Sequence, residues 1–229
     1  MLLTLKIPYA FLINVITVFI IESYQLVRAC IKAVLANRSD IKVIGDAEGA
    51  ETALKQLDYC NPDILILDVD IAGMGCIEMS HHLKRFYPKV KIIVLATLAH
   101  QLFPRRLLDI GISGFLLKSD LNPKQFLNTI KEIYAGKLCI STRIKEMLFL
   151  HNACKTNCEF EQLSDRELQI MLLIIHGQSQ NSIAKKLGLK SKTINSHRYR
   201  IFEKLNVNSD VELTHFAIKK GVLDVAKVE

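Results

Sequence analysis

From residue 15 onward, short apolar runs alternate with amphipathic segments. The runs cover residues 16–21, 41–45, 63–67, 90–95 and 114–117, and helical periodicity fills the intervals near 25–36, 51–59, 77–86, 104–109 and 123–134. Strands that are apolar at every position are buried on both faces, which calls for a parallel sheet covered by helices. The pattern predicts five βα units in a doubly wound, five-stranded parallel sheet over residues 15–136. The alternation then stops. Residues 137–160 hold one helical piece near 142–151 and a polar stretch at 155–157, and read as a linker. A smaller all-α domain follows over 161–229. Ser164 stands at an N-cap position with Glu167 three residues on, a capping box ahead of an apolar run that Gly177 closes. Helical patterns at 181–187 and 191–205 flank a tight turn containing Gly188, and a last one spans 210–220 before Gly221. Two short helices about a glycine turn predict a helix-turn-helix.

The 191–205 segment, SKTINSHRYRIFEKL, carries the chemistry of that motif. Wound as a helix, it places Ile194, Ile201 and Leu205 on a buried stripe, with Arg198 beside it and His197 on its other flank. Lys192, Asn195, Ser196, Tyr199 and Glu203 fall opposite, with Arg200 nearby. That face mixes cations with groups able to hydrogen-bond base edges. Alone it fits a solvated surface helix equally well; the preceding helix and turn favour a DNA-reading role.

Composition narrows the partners. Half of the 229 residues are hydrophobic, enough for packed cores, and the net charge of +7 with a pI near 9.1 suits a polyanion, with nucleic acid the leading candidate. Six scattered cysteines form no disulfide framework, and His151, Cys154 and Cys158 lack a fourth zinc ligand at a recognisable spacing. Reduced thiols in the cytoplasm are expected. Residues 1–14 form an apolar extension, but Pro8 interrupts it and the β-branched run beginning at Val15 suits a strand better than a membrane span, so no membrane role is expected.

In a doubly wound sheet the functional crevice lies beyond the carboxyl ends of the strands. Glu22 and Ser23 stand at the first strand's end, Asp68 at the third, Ala96 and Thr97 at the fourth, and Lys118 at the fifth. With the run Asn61-Pro62-Asp63-Ile64-Leu65-Ile66-Leu67-Asp68, this set resembles the receiver domain of two-component response regulators, whose fold is flavodoxin-like and CheY-like. The resemblance implies that Asp68 is the phosphoacceptor, that Lys118 pairs with the phosphate, and that Mg²⁺ is held by Glu22, Asp68 and the backbone carbonyl of Asp70. A carboxylate is a weak nucleophile, so a hard cation is needed to neutralise phosphate charge and align the donor. Two positions depart from the family: Ser23 replaces an acidic metal ligand, and Ala96 stands where a switch hydroxyl is expected. Thr97 could substitute only if the strand slipped by one residue.

In the second domain, Leu163-Ser164-Asp165-Arg166-Glu167-Leu168, Ile183-Ala184-Lys185-Lys186-Leu187 and Lys192-Thr193-Ile194 resemble the LuxR-type helix-turn-helix of NarL/FixJ regulators, with 166–174, 197–200 and 210–215 similar to the GacA/UvrY/LetA group. The resemblance implies a transcriptional response regulator rather than an enzyme, working as a homodimer on double-stranded DNA downstream of a hybrid sensor histidine kinase. It puts Asn195, Ser196 and Tyr199 at bases and Lys192, Thr193, Arg200 and Lys204 at phosphates. Ser23 and Ala96 motivate a competing reading: a pseudo-receiver that acts independently of phosphorylation, as an interaction module or modulator of a related regulator. Nucleotide chemistry on the sheet is disfavoured because no glycine-rich phosphate loop follows the first strand.

Overall fold

A computed structural model describes residues 15–36, 38–97, 103–154 and 158–223. The apolar extension 1–14 and the polar tether 155–157 lie outside the described residues, as do the side chains of His151, Cys154 and Cys158.

Residues 15–134 alternate strand and helix: β1 Ile16–Ile21, α1 Gln25–Ala36, β2 Ile41–Ala47, α2 Ala50–Leu57, β3 Ile64–Asp68, α3 Cys76–Phe86, β4 Lys91–Ala96, α4 Phe103–Ile110, β5 Gly114–Leu117 and α5 Pro123–Tyr134. The sheet is parallel throughout, in the order β2-β1-β3-β4-β5-β6, where β6 is Cys139–Ile140. Alternate residues of the same strand serve opposite cores. Phe19, Leu65, Leu67, Val94 and Phe115 pack with Ala53, Leu57, Met79, Leu83 and Leu107 from α2, α3 and α4. Val18, Ile20, Ile66, Ile93 and Leu116 pack with Ile31 and Leu35 of α1 and Phe126, Ile130 and Ile133 of α5. Both faces are covered, which is why the strands read as unbroken apolar runs.

The expected five strands are six. After α5 the chain passes the outer edge of β5, and β6 (Cys139–Ile140) pairs with it at Gly114 and Phe115. Flanking bonds from the Cys139 N–H to the Ser113 carbonyl and from the Ser141 N–H to the Phe115 carbonyl satisfy edge groups that would otherwise face water. A two-residue strand has no periodicity to detect. The 137–160 segment also carries α6 (Thr142–Cys154) and the start of α7 (Cys158–Glu161).

The C-terminal helices are α8 Asp165–Ile175, α9 Gln180–Lys186, α10 Ser191–Leu205 and α11 Asp210–Lys219. The capping box forms as the sequence predicts, with the Ser164 N–H donating to Glu167 Oε2 at 2.8 Å and the Glu167 N–H to Ser164 Oγ at 3.3 Å. Gly188, at φ 63°, turns α9 into α10. The start of α10 is fixed from α9: Gln180 Nε2 donates to the Ser191 carbonyl at 2.7 Å and Ser191 Oγ to Asn181 Oδ1 at 2.8 Å. Glu167 ties α8 to α10 as well, its Oε2 accepting from Lys204 Nζ at 2.6 Å. Burial works against the Glu167 charge, yet the Lys204 ammonium and the Ser164 N–H hold its pKa below the usual range.

Among the described residues, hydrogen bonds join the two domains at α4 and at the loop after β3. Arg106 of α4 donates to Asp165 Oδ1 at 2.7 Å and to the carbonyls of Phe160 and Leu163 at 2.9 and 2.8 Å. At the loop after β3 the Gly73 N–H donates to the Lys186 carbonyl at 3.0 Å, and Arg166 donates to the Gly73 carbonyl at 3.2 Å and to the Leu187 carbonyl at 3.0 Å.

Glu167→Ala removes a cap acceptor and the partner of Lys204 together. It is expected to destabilise the C-terminal domain by about 2–3 kcal/mol, read as a lowered urea midpoint.

Candidate functional site

The β1 and β3 strands are neighbours although α1, β2 and α2 separate them in sequence, so their carboxyl ends meet at the topological switch point. Glu22, one residue past β1, is 1% exposed, and Asp68, the last residue of β3, is 2% exposed. Lys118, immediately after β5, reaches back between them: its ammonium lies 2.7 Å from Glu22 Oε2 and 3.1 Å from Asp68 Oδ1. The second Glu22 oxygen accepts from the Tyr24 N–H at 3.0 Å, and Arg28 pins the loop by donating to the Glu22 carbonyl at 2.6 Å and to Asp46 Oδ2 at 3.0 Å. Asp68 Oδ2 is buried with no hydrogen-bond partner.

The electrostatics follow from that burial. Burial pushes the Asp68 carboxyl up to about 6; Lys118 pulls it down, and the Glu22 charge pushes it up again. For Lys118, burial opposes the charge, but the Glu22 hydrogen bond and the Asp68 carboxylate outweigh it and hold the pKa above the usual lysine range. Two hard oxygen donors thus already surround one positive charge, with a third oxygen orphaned beside it. A small dication fits this chemistry. Among the described residues, however, no three His, Cys, Asp or Glu side chains form a metal-ligand set. A cation would rest on Glu22, Asp68, the Asp70 carbonyl and water. The Ser23 hydroxyl, where a further carboxylate was expected, instead donates to the Asp70 carbonyl at 3.2 Å.

At the end of β4, Ala96 is fully buried and paired with Leu117 in an unslipped register, and Thr97 is the exposed residue that follows. The one-residue slip that would bring Thr97 into the Ala96 position does not occur.

On α10, Ile194, Ile201 and Leu205 are buried as the periodicity predicts, and Phe202 joins them. Phe202 was missed because it lies next to Ile201, off the stripe of three; Arg198 covers its ring from 5.2 Å while donating to Asp210 at 2.7 Å. Lys192, Thr193, Ser196, Tyr199 and Arg200 are exposed and Asn195 is half-buried. Tyr199, 63% exposed, meets Phe202 edge-on. Lys204, expected at a phosphate, is exposed, and its ammonium bonds Glu167 and, at 3.0 Å, the Gln162 carbonyl. His197 has a buried Nδ1 without a partner, and burial, aided by Arg200, lowers its pKa.

Sequence reasoning also missed Lys186, whose ammonium lies 3.5 Å from Asp70 Oδ1 at the rim of the acidic cluster. No spacing rule links residues so far apart in different domains.

Comparison with known proteins finds two family models, one after the other along the chain. The family model described as the response regulator receiver domain matches residues 18–131, and that of the bacterial regulatory proteins of the luxR family matches 161–217. The chain is 37% identical over 209 residues to the response regulator UvrY of Escherichia coli K12, covering 90% of this chain and 95% of UvrY. It is 35% identical over 213 residues to the response regulator GacA of Pseudomonas viridiflava, covering 92% and 99%. Among solved structures, Salmonella typhimurium RcsB aligns at a TM-score of 0.70 with 24% identity, covering 90% and 98%. A structure of two RcsB dimers bound to two parallel DNAs aligns at 0.57 with 25% identity over the same shares. No helix among the described residues is long and apolar enough to cross a membrane. The chain therefore belongs to the NarL/FixJ family of two-component response regulators, transcription regulators that join a receiver domain to a LuxR-type DNA-binding domain.

Proposed function

We propose that Asp68 accepts a phosphoryl group and that the receiver thereby controls how the second domain engages DNA as a homodimer in the cytoplasm, downstream of a hybrid sensor histidine kinase. The observation that carries this is the unpartnered Asp68 Oδ2, buried at a switch point where Glu22 and Lys118 already balance charge. When bound, Mg²⁺ would neutralise phosphate oxygens and orient the donor. Glu22, Asp68 and the Asp70 carbonyl would hold it, and Lys118 would transfer its pairing from Asp68 to the phosphoryl oxygens. The domain boundaries 15–136, 137–160 and 161–229 belong to the same reading, as do base contacts by Asn195, Ser196 and Tyr199 and phosphate contacts by Lys192, Thr193 and Arg200. Lys204 joins them only if DNA displaces it from Glu167. The reading assigns no enzymatic role beyond self-phosphorylation and its hydrolysis.

One observation favours a second reading. With Ala96 buried and its register unslipped, no hydroxyl stands where the family's switch expects one, and Ser23 withholds a metal carboxylate. A receiver so built acts as an interaction module, or modulates a related regulator, whatever its phosphorylation state.

Mg²⁺-dependent labelling from a small-molecule phosphodonor decides between the two. Wild type should label and Asp68→Ala should not, while Ser23→Asp, by restoring a charged ligand, should tighten Mg²⁺ roughly tenfold. Equal labelling of wild type and Asp68→Ala would leave the second reading.

On DNA, Tyr199→Ala is expected to cost about 1–3 kcal/mol and to relax sequence preference. Arg200→Ala should weaken binding to all sequences alike and reduce the salt slope by about one. Footprinting and salt-titrated binding measure both.

The raised pKa of Asp68 also has a stability consequence. The folded state binds this proton more tightly than the unfolded chain, so the cost of the buried charge is absent below the unfolded value of 3.8 and develops as pH rises through about 6. Asp68→Asn should therefore stabilise the protein at pH 7, by about 1–3 kcal/mol, and the gain should vanish near pH 4 in denaturant titrations.

A further inference from the structure

The loop that would supply the third cation oxygen is also one of the places where the receiver contacts the DNA-binding domain. Asp70 faces two ways: its carbonyl accepts from Ser23, and its carboxylate pairs with Lys186 at the end of α9. Three residues on, the Gly73 N–H donates to the carbonyl of the same Lys186, and Arg166 bridges the Gly73 and Leu187 carbonyls. The 70–73 loop is thus bonded to one end of α9 through both backbone and side chains, and the second domain supplies a positive charge at the mouth of the acidic cluster.

We propose that docking of the DNA-binding domain through Lys186 and binding of a divalent cation at Glu22, Asp68 and the Asp70 carbonyl oppose each other. The inference rests on the cation-site reading above. Electrostatics makes the states antagonistic: a dication on the Asp70 carbonyl would set two positive charges near an ammonium already held by that residue's carboxylate. The same carbonyl also accepts from the Ser23 hydroxyl, so only one of its two lone pairs is open to a cation. By linkage, whatever the cation subtracts from docking, docking subtracts from cation affinity. Lys186 and Asp70 are each about one-third exposed, 29% and 35%, so solvent screens the pair and the coupling is modest. Occupancy of the metal site, before any phosphoryl transfer, thereby loosens the hold on the helix that leads into the 188–190 turn and α10.

The test uses the full chain and Mn²⁺ as a paramagnetic stand-in for Mg²⁺, with free Mn²⁺ read by electron paramagnetic resonance. Lys186→Gln should tighten Mn²⁺ about two- to fivefold. Asp70→Asn keeps the backbone carbonyl but not the ion pair, and in that background Lys186→Gln should change Mn²⁺ affinity far less. Hydrogen exchange gives a second reading: on adding Mg²⁺ to wild type, the Gly73 amide should exchange faster as its acceptor on Lys186 withdraws. Equal Mn²⁺ affinity in wild type and Lys186→Gln, additive effects of the two substitutions, or slower Gly73 exchange with Mg²⁺ would overturn the antagonism. Those results leave the cation site itself intact, provided Asp68→Ala still abolishes binding. Mn²⁺ binding that ignores Asp68→Ala, or no binding at all, overturns the site and the antagonism together.

Discussion

Placing two carboxylates at the buried ends of adjacent parallel strands is the constraint on which the receiver depends. Glu22 and Asp68 have almost no contact with water, and neither could remain charged there alone. Lys118 resolves the conflict by reaching both, but only because β5 ends where it does and a short turn follows. The sheet order is therefore part of the chemistry. Exchange the places of β3 and β4 and Asp68 no longer faces Glu22. The apolar runs that specify a doubly covered sheet also specify a charged crevice at its switch point.

The second domain obeys a different constraint. Its helices are short, and α10 keeps its reading face outward only because the opposite face is tied down. Apolar packing of Ile194, Ile201, Phe202 and Leu205 fixes the rotation of the helix, while the Glu167 bond to Lys204 and the Gln180 bond to Ser191 fix its two ends. The exposed set from Lys192 to Arg200 is what remains. Lys204 is tied back instead, its ammonium pairing with the Glu167 carboxylate that caps α8.

Much of this was legible in the sequence because it rests on local periodicity. The β1 and β5 spans follow from short unbroken apolar runs, and the capping box at Ser164 and the buried stripe of α10 from spacings of three and four residues. The strand-end residues were legible for a related reason, since a polar residue terminating an apolar run marks where the sheet meets solvent. What escaped lacks a local signature. The two-residue β6 exists because an edge needed covering. Phe202 is buried off the stripe of three, with Arg198 over its ring and Tyr199 edge-on to it. The contacts of Arg106, Arg166 and Lys186 depend on how two domains meet, and each of those residues reads in sequence as an ordinary solvated cation.

Those same cations give the departures at Ser23 and Ala96 their meaning. On the proposed reading a dication would have two carboxylates and a carbonyl that also accepts from Ser23, so it would be held by fewer charges than a third carboxylate would allow. The balance at this site then lies within reach of a single ammonium in the next domain. Ala96 offers no hydroxyl at the end of β4, while the loop at Asp70 and Gly73 is bonded to α9. If the proposed antagonism holds, the link between receiver and DNA-binding domain would run through the end of β3 rather than the end of β4.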